Sequence, residues 1–63
     1  MDQDALIRLI ETRFAEADRE NLRHLSRELE RLVRQVQDRA LRSRYESALD
    51  QLPDMVAHLD EGH

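Results

Sequence analysis

Glu20, His24 and Glu28 stand four residues apart, and Asp54 and His58 repeat that spacing. On a helix, side chains at this interval share one face and can converge on a metal ion. A zinc or di-iron centre wants at least three ligands, usually with a second helix offering a matching set. No matching set accompanies Glu20, His24 and Glu28, so no metal or other cofactor is expected. The aliphatic hydroxyls are Thr12, Ser26, Ser43 and Ser47. None sits in a strand–turn–helix elbow, and no glycine-rich loop is present to cradle a phosphate. A chain of 63 residues rarely encloses a substrate pocket. Catalysis is not expected.

Arginine is the residue type that asks for a partner. All ten basic residues are arginine and none is lysine. A GC-rich genome produces that bias, and so does selection for bidentate contacts to carboxylate or phosphate. Arg19, Arg23, Arg27 and Arg31 form a ladder at spacing four, a mildly self-repelling row unless an acidic surface lies beside it. Arg34, Arg39, Arg42 and Arg44 form the densest basic cluster, followed at once by Tyr45. These eight arginines are the candidate charged face toward a partner.

Charge is segregated along the chain. Residues 1–18 carry two arginines and five acids, residues 19–44 eight arginines and four acids, and residues 45–63 five acids and no arginine. Acidic ends folded against a basic middle would account for this, within one chain or between two. An outside acidic partner would account for it as well. Nucleic acid is the weaker destination. The net charge is −4, only two residues are aromatic, and no glycine turn of a helix–turn–helix is present.

Helices must position these side chains. Leu22, Leu25, Leu29, Leu32 and Val36 alternate spacings of three and four, which puts all five on one helical stripe. The stripe anchors a helix expected over residues 19–36. Leu6, Ile7, Ile10, Phe14 and Ala17 define an amphipathic helix over residues 3–17, capped by Asp2 or Asp4. A third stripe, Leu41, Tyr45, Ala48 and Leu52 with Leu49 beside it, lies roughly 150° from the second if the helix runs straight. A break near residues 37–39 resolves the conflict, with Asp38 as the N-cap of a helix over residues 39–60. Pro53 should kink or break that helix, or open a last short one. Met55, Val56 and Leu59 should still pack, and residues 60–63 read as a frayed end. A break is also expected at the polar stretch 18–21, where Asp18 can cap the second helix.

The expected fold is all-α: a single domain of two or three short antiparallel helices. Cysteine is absent, so no disulfide or thiolate metal site can staple it. A chain this short buries only about 60% of its unfolded surface. Completion of the bundle by dimerisation is therefore expected, through a seam of Leu22, Leu25, Leu29, Leu32, Val36, Leu41, Tyr45, Leu49 and Leu52. No membrane span or basic secretory leader is visible, and a cytoplasmic setting is expected. In length, charge and helicity the chain is similar to the small helical-hairpin co-chaperones of bacterial secretion systems. Wide apolar stripes, the lack of covalent staples and segregated charge lead to the expectation of a regulator, adaptor or co-chaperone that binds another protein through helix faces. The alternative expectation is a small arginine-rich RNA- or DNA-binding regulator.

Overall fold

The computed structural model describes residues 2–61, with side chains described through His58. It contains three helices, α1 (Gln3–Ala15), α2 (Leu22–Arg34) and α3 (Arg39–Glu61), and no strand among the described residues. The fold is all-α.

Each break has a local cause. In the first, the Asp18 N–H donates to Asn21 Oδ1 at 2.8 Å, and the Asn21 N–H donates to Asp18 Oδ1 at 2.9 Å. Asn21 Nδ2 also donates to the Glu16 carbonyl at 2.9 Å. These side chains offer the backbone partners that a continuing helix would otherwise supply. Helix α1 therefore stops at Ala15 and α2 opens at Leu22. At the second break, Asp38 Oδ1 accepts the Leu41 N–H at 3.1 Å, which is the N-cap expected of it. Asp2 occupies the N-cap of α1, but its side chain caps nothing. Pro53 lies inside α3, which continues through it. The packing expected of Leu59 and the stop expected at Gly62 lie outside the described side chains and residues.

Helix α2 is the central element. It packs on α1 and on α3, whereas α1 and α3 do not approach backbone to backbone. Those two meet through side chains: the Phe14 and Tyr45 rings stack with centroids 6.1 Å apart and planes 25° apart. The core consists of Leu6 and Ile10 from α1, Leu25, Leu29, Leu32 and Val33 from α2, Val36 just after it, and Leu52 and Val56 from α3. Leu6, Ile10 and Leu29 are wholly buried. No polar or charged side chain is buried among the described residues.

The apolar stripe of α2 is thus covered by the chain's own α1 and α3, so a second copy is not needed to bury it. Val33, outside the expected seam, is buried because α2 is covered from two sides and needs a wider apolar arc than a two-helix seam does. Met55, expected to pack, is 51% exposed.

The molecule measures 38 × 18 × 16 Å, with a radius of gyration of 11.9 Å. A compact chain of this length would have about 10.6 Å. The difference reflects α3, whose 23 residues extend about 34 Å. One polar clamp closes the end where the termini of α1 and α2 meet. Gln3 Nε2 donates to the Gln35 carbonyl at 3.3 Å, and the Gln37 N–H donates to Gln3 Oε1 at 3.0 Å.

Candidate interaction surface

The apolar seam and the arginine face lie on opposite sides of α2. At about 100° per residue, the mean direction of Arg23, Arg27, Arg31 and Arg34 lies roughly 175° from that of Leu25, Leu29, Leu32 and Val36. Burial follows the same geometry. Leu25, Leu29, Leu32, Val36 and Leu52 are buried, and Leu22, Leu41, Tyr45 and Leu49 are half-buried against them. Arg19, Arg23, Arg27, Arg31, Arg34, Arg39 and Arg44 are exposed, and Arg42 is half-buried. The seam is internal structure, and the arginine row is surface.

The row carries uncompensated charge. Arg23, Arg27, Arg31 and Arg34 form no ion pair among the described residues. The helical pairs that spacing suggests, Glu20 with Arg23 or Glu28 with Arg31, do not close. Glu28 turns instead to α1, where its Oε1 lies 3.0 Å from Arg13 Nε. Arg13 also holds Glu16, with Nη1 to Oε2 at 2.9 Å. The Glu16 hydrogen bond first, and then the Glu28 hydrogen bond and charge, hold the Arg13 guanidinium above its ordinary value.

Engagement with Arg13 also removes Glu28 from the set with Glu20 and His24. Among the described residues no three His, Cys, Asp or Glu side chains are grouped to hold a metal ion. Thr12 is likewise occupied, its Oγ1 donating to the Arg8 carbonyl at 2.8 Å. The phenol of Tyr45 is held above its usual range, chiefly by burial and next by the negative charge of Glu11, with Arg44 opposing.

Arg39, Arg42 and Arg44 occupy the first two turns of α3. Positive charge there opposes the helix dipole, and Asp38 offsets it from the cap position. The cluster is separate from the α2 row along the chain, but Arg34 stands at the top of a shallow groove between α2 and α3. That groove is lined by Glu30, Val33 and Arg34 on one side and by Glu46, Leu49 and Asp50 on the other. A separate depression is lined by Leu22, Arg23, His24, Ser26 and Arg27 of α2 and by Pro53 of α3.

The acidic wall of this groove is the feature that sequence reasoning missed. Glu46 and Asp50 form it, and Asp54 continues their interval of four along α3; all three are exposed. Their interval of four is present in the sequence, but the net charge of residues 45–63 does not reveal it. No helix among the described residues is long and apolar enough to cross a membrane. No protein family, curated protein or solved structure matches the chain.

Proposed function

We propose that this chain is a non-catalytic helical module that binds another protein, as a small regulator, adaptor or co-chaperone. One observation carries this reading: Arg23, Arg27, Arg31 and Arg34 stand exposed in a row, without an ion pair among the described residues. A three-helix core holds that row rigid. Guanidinium groups fixed on a helix suit bidentate contacts to carboxylates and are favoured anchors at interfaces. A partner helix with carboxylates at spacing four would meet several arginines at once. A cysteine-free chain of this kind suits the cytoplasm.

Phosphate would also satisfy guanidinium groups, which keeps a nucleic-acid regulator as the competing reading. The carboxylates of α3 disfavour it. A nucleic acid is a continuous polyanion wider than the row and would run beside Glu46 and Asp50 as well, whereas a partner helix needs carboxylates only along the one stripe that meets the arginines.

Fluorescence anisotropy with a labelled helical peptide bearing glutamate at every fourth position tests the proposal. Binding should weaken with salt. It should fall by about tenfold or more when Arg23, Arg27 and Arg31 are all replaced by Gln, a loss equal to a few exposed ion pairs. Helicity should be unchanged. Absence of peptide binding at low salt, together with tight binding of duplex RNA or DNA, would overturn it in favour of the regulator.

A further inference from the structure

The junction of α2 and α3 carries charge of opposite sign at its two ends. In the groove beside Arg34, three carboxylates, Glu30, Glu46 and Asp50, stand against that one guanidinium, together with Val33 and Leu49. The depression beside Pro53 has two guanidiniums, Arg23 and Arg27, with Leu22, His24 and Ser26, and no carboxylate among the described residues lines it. Both sites draw on both helices. As the α2 residues fall from 30–34 to 22–27, the α3 residues rise from 46–50 to 53, the order that antiparallel neighbours require. On α2 the two sites are centred about seven to eight residues apart, or roughly 11 Å along the helix.

These charges are not consumed within the chain. Arg23, Arg27, Glu30, Arg34, Glu46 and Asp50 are all exposed, and none forms an ion pair among the described residues. Arg34 makes no ion pair even with Glu46 and Asp50 in the same groove. Each site also offers apolar surface, because Leu22 and Leu49 are half-buried and Pro53 is exposed.

We propose that the α2–α3 junction docks a partner helix of segregated charge. That helix carries carboxylates on one turn, basic side chains about two turns further along the same face, and apolar residues beside them. Its carboxylates meet Arg23 and Arg27, its basic end meets Glu30, Glu46 and Asp50, and its apolar side chains cover Leu22, Leu49 and Pro53. This deepens the reading above and rests on the arginines of α2 being a protein-docking face. It also narrows the partner. A uniformly acidic helix suits the depression but is repelled at the groove, and a uniformly basic one meets the reverse. Like charges brought face to face reject a wrong partner, so the junction selects against both.

Three labelled helical peptides of equal composition and no net charge test this by fluorescence anisotropy at low salt. Two carry glutamates on one turn and arginines two turns on, in opposite orders. The third mixes glutamate and arginine within every turn. One of the segregated orders should bind about fivefold or more tighter than the mixed peptide, the gain expected of two exposed ion pairs. Arg23→Gln with Arg27→Gln should remove that preference, and so should Glu46→Gln with Asp50→Gln, each with unchanged helicity by circular dichroism. The second of these variants should also bind a uniformly glutamate-bearing peptide more tightly than the unmodified chain does, because a repulsion is gone. Equal binding of the three peptides, or a preference that survives both double variants, overturns the inference. So does a dimeric chain that binds peptide only once dilution has dissociated it, since a second copy then holds the junction. If the uniformly acidic peptide binds and charge order makes no difference, the arginine face of α2 stands and only the segregated partner is excluded. If no peptide binds, both fail.

Discussion

Arg13 Nε lies 3.0 Å from Glu28 Oε1, and this pair joins α1 to α2 in the sense opposite to their net charges. The acidic N-terminal segment contributes the base, and the basic central segment contributes the acid. Folding the acidic ends onto the basic middle therefore does not neutralise the middle. It engages one of the carboxylates of α2 with α1 and leaves the arginine row on the far face with one fewer carboxylate to offset it. A surface pair of this kind adds little to stability. Its effect is on where charge remains.

Leu29 is wholly buried at the centre of the core. Leu29→Ala should cost about 2–5 kcal/mol, a large share of what so small a domain possesses. Urea denaturation followed by circular dichroism measures it. Leu29→Asp should leave no cooperative transition at all, and retained helicity in that variant would remove α2 from the centre of the fold.

Tyr45 is the sole tyrosine, so its titration can be followed alone by tyrosinate absorbance. Its folded pKa is raised above the ordinary 10.0, by burial first and Glu11 second. The folded state thus holds the phenolic proton more tightly than the unfolded chain does. That contribution is fully present below pH 10.0 and is lost as pH rises through the folded value. Stability should decline in that alkaline window, and the decline should be shallower in Tyr45→Phe. Equal slopes in the two proteins would place the pH dependence elsewhere.

Pro53 stands in the interior of α3, where it cannot donate to the Leu49 carbonyl. Pro53 is exposed, so replacing it removes little packing. Pro53→Ala should stabilise the fold by about 1–3 kcal/mol, seen as a higher melting temperature. A lower melting temperature would mean that the proline ring itself helps to seat Leu52 and Val56 in the core.

The Asp38 side chain accepts the Leu41 N–H at 3.1 Å. Asp38→Ala should cost about 1 kcal/mol, and Asp38→Asn much less, because the amide oxygen can accept the same bond. Thermal denaturation of the pair separates the cap from the charge.

Much of this architecture is legible in the sequence where a single rule decides. The three-and-four spacing of Leu25, Leu29, Leu32 and Val36 identifies a buried stripe because only a helix aligns those positions. Asp38 announces itself as a cap because the two apolar stripes cannot share one straight helix. Features that depend on two elements at once are not legible. Val33 is buried because α2 has a neighbour on each side, and Met55, one position before the buried Val56, is exposed because it lies off the side of α3 that meets α2. The ends of α1 and α2 depend on Asp18 and Asn21 exchanging hydrogen bonds, which competes with helix formation through geometry that spacing does not encode. The arginine face was visible as a ladder. That Arg34 shares a groove with Glu46 and Asp50 of α3 depends on how the two helices pack.

Because α2 lies between α1 and α3 in space as it does in sequence, nearly every backbone contact links neighbours along the chain. The exceptions are side-chain contacts: the Phe14–Tyr45 stack and the Gln3 clamp on residues 35–37. The search for the native topology is correspondingly short, because no distant segments have to find one another before stabilising contacts accumulate. Chains with this kind of local wiring fold in roughly microseconds to milliseconds. The α1–α2 pair, with its glutamine clamp, and the α2–α3 pair can each assemble first, and the aromatic stack requires both.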